Sequence, residues 1–166
     1  MRNEIFSEQP SSLTSKNETG ISRFFSSPVA LIRLSAILFV GVTIGHMSGY
    51  PWTSAQNPQE SQLVSSMKSV NYIFAGESSS YWNLYFGWGL WVVVLLLTLA
   101  IILWLLSGLV RLAPQRIGVI TGIISATCLA GAYFSFRFFY IPPFIMFSVM
   151  FIILLAATAQ LLKKRY

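Results

Sequence analysis

Four long apolar runs, set apart by short polar breaks, dominate the chain. They cover about residues 29–48, 82–106, 117–138 and 143–162. Each reaches the roughly 20 residues that a helix needs to cross the hydrocarbon core of a bilayer. Helix is the required form, because lipid offers no partner to unpaired backbone groups. The breaks agree. Gly49, Tyr50 and Pro51 end the first run, the stretch Arg111 to Arg116 with Pro114 parts the second from the third, and Pro142 and Pro143 open the fourth. The pattern predicts an all-α fold, a four-transmembrane-helix bundle over residues 29–166.

Two polar segments flank this pattern. Residues 1–28 are rich in Ser, Asn and Glu and lack apolar periodicity. They bury too little surface to offset the entropy of ordering, so they read as a disordered cytoplasmic tail. No compact apolar stretch follows the first charges, so the tail is not a cleavable signal peptide. The first external loop, 49–81, is longer than a plain connector. Within it Leu63, Met67, Val70 and Phe74 recur at helical spacing, opposite Glu60, Ser65, Ser66 and Ser69, and Pro58 stands where helices commonly open. A short amphipathic helix on the outer interface is predicted there, with a flexible loop as the alternative.

Composition supports the membrane reading. The mean hydropathy is +0.66 and charged residues make up 10% of the chain, against roughly 25% in soluble domains. There are 11 Lys and Arg against 5 Asp and Glu, with no Asp. That excess of cations does not form a nucleic-acid patch, because the cations sit at the ends of apolar runs. Arg2, Lys16, Arg23, Arg33, Arg111, Arg116, Lys163, Lys164 and Arg165 fall on one side of the threaded chain, and only Lys68 and Arg137 on the other. The positive-inside rule then predicts both termini in the cytoplasm, N-in and C-in, for a multi-pass protein of the bacterial inner (plasma) membrane. The single Cys128 lies within an apolar run, where it reads as a small buried side chain. No metal cluster, haem pair, Ser/His/Asp set or phosphate-cradling loop is present in the sequence, so no cofactor, metal site or catalytic residue is assigned.

The run SSSYWNLYFGWGL, residues 78–90, packs Tyr81, Trp82, Tyr85, Phe86 and Trp88 into the outer end of the second span. Tyr and Trp belong at the headgroup level, where the ring is apolar and its N–H or O–H meets water. A belt accounts for Tyr81 and Trp82, and Trp104 supplies the opposite belt. At ~100° per residue, Tyr81, Tyr85 and Trp88 share one face, with Asn83, Gly87, Leu90 and Val94 opposite. Trp88 also lies deeper than a belt requires. Both points indicate an aromatic-lined cleft that opens to the outside.

Glycines mark where helices approach. Gly41, Gly45 and Gly49 recur at four-residue spacing in the first span, and Gly118 and Gly122, continued by Ser125, in the third. Such stripes permit close backbone packing in lipid, within the chain, in a homodimer or in a larger membrane complex. Ionisable groups at membrane depth are costly and therefore functional candidates. Arg33 near the inner end of the first span can snorkel to phosphates. His46, the only histidine, lies near its outer end, where a satisfied interfacial polar group is the alternative reading. Arg137 ends the third span on the outer side, where it needs an anionic partner: a lipid phosphate, Glu77, Glu60 or a ligand. His46, Tyr81, Asn83, Tyr85, Trp88, Arg137 and Glu77 all belong to outer helix ends or loops. If the first three spans adjoin, these residues meet in one outward-facing ligand pocket. No carboxylate lies within a span, which argues against a proton-coupled exchanger.

The stretch MKSVNYIFAGESSSYWNLYFGWGL, residues 67–90, resembles an uncharacterised family of small bacterial four-helix membrane proteins. That family carries a His near the end of its first helix, a Met-(Lys/Arg)-Ser segment, a Ser-Tyr-Trp-Asp-Phe-Tyr-x-Gly-x-Gly block and a Trp-Arg-Tyr-Phe-Phe-x-x-Pro block. The corresponding residues here are His46, then Met67, Lys68 and Ser69, then Ser80, Tyr81, Trp82, Tyr85, Gly87 and Gly89, then Phe136, Arg137, Phe138 and Phe139 before Pro142. Asn83 replaces the block's Asp and Leu84 its Phe. If that acid carries a proton or pairs with the arginine, this chain lacks the function. The resemblance implies location and site candidates but no reaction.

Three functions fit these residues. The first is a non-enzymatic protein with an outward-facing aromatic pocket for a membrane lipid or other amphiphile. The second is an accessory subunit that docks through its glycine stripes. The third is an enzyme acting on a membrane lipid or isoprenoid, with His46 as acid/base and Arg137 as charge stabiliser.

Overall fold

The computed structural model describes residues 27–49 and 53–163. Five helices and one hairpin follow in the order α1 (Pro28–Met47), α2 (Pro58–Ser69), β1 (Asn71–Phe74), β2 (Glu77–Ser80), α3 (Tyr81–Leu109), α4 (Pro114–Phe138) and α5 (Ile141–Lys163). Helices α1, α3, α4 and α5 are long and apolar enough to cross a membrane. The chain is an all-α, multi-pass membrane architecture. The four spans lie within three residues of the ends that the apolar pattern predicts. The predicted tail falls almost wholly outside the described residues.

Helix starts follow from local chemistry. Ser27 caps α1, its Oγ accepting from the Ala30 N–H at 3.4 Å, and Pro28 supplies a preset first turn. Asn57 caps α2 in the same way, its Oδ1 accepting from the Glu60 N–H at 2.8 Å, and Pro58 follows it. Ser80 caps α3, its Oγ accepting from the Asn83 N–H at 3.2 Å. Pro114 opens α4.

The spans alternate in direction. Arg33 near the start of α1 meets Ser107 near the end of α3, and His46 near the end of α1 meets Gly89 near the start of α3. Gly118 at the start of α4 faces Leu161 and Leu162 at the end of α5. One end of the bundle therefore carries the start of α1 and the end of α5, and the other carries α2 and the hairpin. Helix α1 packs on α3 and α5, and α4 packs chiefly on α5, while α3 and α4 barely touch. Leu31, Ile32, Phe39, Leu103, Met150, Leu154 and Leu161 are fully buried where the helices meet.

The α4–α5 seam is the closest. A Cβ added to Gly118 would lie 3.0 Å from Leu162, one added to Gly131 would lie 3.1 Å from the Phe147 ring, and one added to Gly122 would touch Thr158 at 3.4 Å. Thr121 and Thr158 share a hydrogen bond of 2.9 Å, and the Ser125 hydroxyl donates to the Phe151 carbonyl at 3.1 Å. The glycines of α4 are thus used within the chain. Gly41 and Gly45 of α1 have nothing within 4 Å of an added Cβ.

The loop between α1 and α3 departs from expectation in its second half. The amphipathic helix forms as α2, but it stops at Ser69, and Val70 is extended. Phe74, placed on the helix by spacing, lies instead in the hairpin. Asn71 pairs with Ser80, Tyr72 with Ser79, Ile73 with Ser78 and Phe74 with Glu77. The turn explains the outcome. Ala75 and Gly76 both adopt positive φ, 52° and 87°, as a two-residue hairpin turn matched to strand twist requires.

The seam makes a stability prediction. Gly131→Leu drives a side chain into the Phe147 ring and should cost about 1–3 kcal/mol, as overpacked cores do. Gly41→Leu meets open space and should stay within about 0.5 kcal/mol of wild type. Unfolding by detergent titration in mixed micelles reads both, and equal losses would contradict the packing described.

Candidate functional site

The seam between α1 and α3 is tied at its two ends by polar side chains. At the end where α1 starts and α3 finishes, Arg33 Nε donates to Ser107 Oγ at 3.1 Å. Its guanidinium also lies 5.3 Å from the Trp104 ring centroid, a cation–π distance. Ser107 in turn donates to the Trp104 carbonyl at 2.6 Å. At the loop end, His46 Nε2 lies 3.2 Å from the Gly89 carbonyl. A carbonyl only accepts, so Nε2 carries the proton and donates. His46 is half-buried and occupied by the helix that it joins.

One concavity of the loop end lies beside α3. The hairpin folds against the first turns of that helix, with Tyr72 and Tyr81 ring centroids 5.4 Å apart. Below this contact a cleft of about 420 Å³ opens, lined by Tyr72, Ser79, Asn83, Leu84, Gly87, Trp88 and Trp91. Its polar groups lie at the hairpin end, where Asn83 Nδ2 approaches Ser79 Oγ at 3.5 Å. Its indoles lie deeper, Trp88 and Trp91 being five and eight residues further along α3 than Asn83, or about 8–12 Å at the helical rise. Gly87 contributes bare backbone between them. The wall is thus graded along the helix, from amide and hydroxyl to aromatic.

Of the residues singled out from the sequence, Asn83 and Trp88 line this cleft. The helical wheel sets Asn83 and Gly87 opposite the aromatic face, whereas here Trp88 shares their concavity. It is one residue from Gly87, and the breadth of an indole bridges the ~100° between them. Tyr81 packs on Tyr72 at the cleft's rim. Tyr85 turns to the other side of α3, its ring 6.3 Å from that of Trp82 and within electrostatic reach of Tyr140 and Glu60. Glu77 is exposed beside the hairpin turn. Arg137 is exposed at the end of α4, its guanidinium 5.7 Å from the Phe138 ring centroid. His46, Asn83 and Arg137 therefore occupy three places: the α1–α3 seam, the cleft and the end of α4.

Tyr72, Ser79 and Trp91 were not among the predicted site residues. The first two come from the hairpin, which helical spacing hid. Trp91 was legible, since it lies on the wheel between Leu84, Gly87 and Trp88. A second, more polar concavity of about 400 Å³ lies between α2 and the start of α3, lined in part by Ser61, Ser65, Lys68 and Trp82. There Lys68 Nζ sits 5.0 Å from the Trp82 ring centroid.

No protein-family model matches this chain, and neither a curated protein nor a solved structure matches it.

The His46 bond makes a prediction of its own. Nitrogen-15 NMR of labelled histidine should show Nε2 as the protonated ring nitrogen, and His46→Ala should cost about 0.6 kcal/mol, the average for such bonds between membrane helices. A protonated Nδ1 with bare Nε2 would remove this tie.

Proposed function

We propose that this multi-pass membrane protein binds a lipid or similar amphiphile in the cleft between the hairpin and α3. The observation that carries the reading is the grading of the cleft wall. Asn83 and Ser79 supply an amide and a hydroxyl to a polar head, and Trp88 and Trp91 supply apolar rings to the chain below it. Amphiphile pockets combine a few placed polar groups with an apolar and aromatic wall in this way. The cleft is open along its side, so a ligand enters from the surrounding lipid rather than through a tunnel. Neither His46 nor Arg137 is needed for this activity, which is binding and not turnover.

A second reading has one observation in its favour. Gly41 and Gly45 face open space while the α4 glycines are covered. An accessory subunit would dock a partner's helix there, and small residues would let the two backbones approach.

The protein lies in the bacterial inner membrane with both termini cytoplasmic. The distribution of Lys and Arg supports this threading, which places the cleft on the outer side. Reporter fusions after Lys163 and within the 53–57 segment should be active inside and outside respectively, and the reverse pattern would invert the proposal.

Native mass spectrometry of the protein released gently from its membrane tests the binding. A lipid adduct of defined mass is expected, and Trp88→Ala should lower its occupancy about tenfold, the equivalent of 1.4 kcal/mol. Asn83→Leu should weaken it further for polar-headed lipids, while Arg137→Ala should leave it unchanged. An adduct indifferent to both cleft substitutions, or bare protein throughout, would overturn the reading. Loss of a protein partner in Gly45→Leu would favour the docking alternative.

A further inference from the structure

We propose that the hairpin tip, Ile73–Phe74–Ala75–Gly76, is immersed in the interfacial layer of the bilayer that holds α3. Ile73 and Phe74 are 79% and 76% exposed, among the most exposed large apolar side chains of the described residues. They are consecutive strand residues, so they project from opposite faces of the hairpin. The facing strand is Glu77–Ser80, ESSS, and offers them no apolar cover. No rotation of the hairpin about its own axis can hide both side chains from water. Only immersion of the tip, or coverage by another molecule, does so.

The tether identifies the cover as lipid. Strand β2 ends at Ser80 and α3 begins at Tyr81, with no residue between them. The four residues of β2 hold the tip within ~14 Å of the first turn of a spanning helix at ~3.4 Å per residue. That first turn carries Tyr81 and Trp82, residue types that sit at the headgroup level, with the Lys68 ammonium over the Trp82 ring. The direction of the hairpin agrees. Tyr72, two residues before Phe74 and on the same face, closes the cleft together with Trp88 and Trp91. That face borders the same cleft as Trp88 and Trp91, which lie about two to three turns into α3. Charge sets the depth. Glu77 lies opposite Phe74 in the ladder and is exposed. A carboxylate is costly in hydrocarbon, so it keeps the tip at the level of the headgroups, where cationic head moieties and water solvate it. The turn itself, Ala75 and Gly76, adds no charge.

This inference does not depend on a ligand in the cleft. It is tested with a nitroxide attached at Phe74→Cys in a Cys128→Ala background, in phosphatidylcholine nanodiscs. Collision of the label with oxygen is compared with collision with a water-soluble nickel chelate. The reference is Ser54→Cys, an exposed site on the same side. The expected result is an oxygen-to-nickel ratio several-fold higher at position 74 than at 54, with Ile73→Cys shifted in the same direction. Equal ratios at 74 and 54 would overturn the proposal, since the tip would then lie in water. A label shielded from both reagents would also overturn it, because protein and not lipid would cover the tip. Should Cys128→Ala fail to fold, the native background serves: Cys128 is 1% exposed, and wild-type protein is the labelling blank. A lipid-immersed tip in a protein without a cleft adduct, or the converse, separates this proposal from the binding reading.

Discussion

A polar atom inside hydrocarbon has only protein to bond with, and that constraint accounts for the hydrogen bonds made in and between the helices. Ser35, Thr43, Thr98, Thr127 and Ser148 each return a hydroxyl proton to the carbonyl one turn back. This satisfies the side chain without any neighbour. Where a hydroxyl reaches another helix instead, it becomes a stitch: Thr121 to Thr158, and Ser125 to the Phe151 carbonyl. Arg33 and His46, the most polar side chains of α1, both bond across to α3. The chain thus satisfies its polar groups either within their own helix or across to a neighbour, and apolar packing fills the space between.

The two principal seams solve the same problem differently. Between α4 and α5, small residues bring the backbones together: an added Cβ would be tight at Gly118 and Gly131 and would just touch Thr158 at Gly122. Between α1 and α3, polar ties close the two ends, and Phe39 and Leu103 belong to the large buried side chains of the common core. Apolar burial is a weak force between helices already surrounded by lipid, so close contact and hydrogen bonds carry the association. Irregular backbone appears only beyond the spans, where water can satisfy it, and it is there that the hairpin shapes a cleft.

The spans were legible because their signal is long and nearly uninterrupted; few other structures suit twenty apolar residues in a row. The start of α2 was legible as well, since Pro58 stands where that helix opens, whereas Pro114, read as part of a break, proves to be the first residue of α4. The hairpin was not. Val70 and Phe74 extend the helical spacing of Leu63 and Met67, and a strand of four residues facing three serines has no alternating pattern to compete with it. Ala75 added to the disguise, because the left-handed position of such a turn normally advertises itself with Asn, Asp or Gly. With the hairpin hidden, Tyr72 and Ser79, two of the seven residues of the cleft wall, were hidden too, and the remaining candidates gathered by depth alone into a single pocket. The structure divides them by neighbour: His46 to Gly89, Asn83 to Ser79, Arg137 to Phe138. The glycine pattern showed close approach but not with whom, since an interval of four residues is the same for any partner.

One junction has a mechanical meaning. Ser80 is at once the last residue of β2 and the cap of α3, and the next residue, Tyr81, donates its N–H to the Val70 carbonyl at 3.2 Å. Strand and helix are therefore welded without a hinge. Membrane helices change tilt as bilayer thickness changes, and a welded arm must swing with its shaft. An arm of ~14 Å turned through 10° moves its end by about 2 Å. The hairpin is thus a pointer fixed to α3, and its tip follows whatever tilt that helix takes.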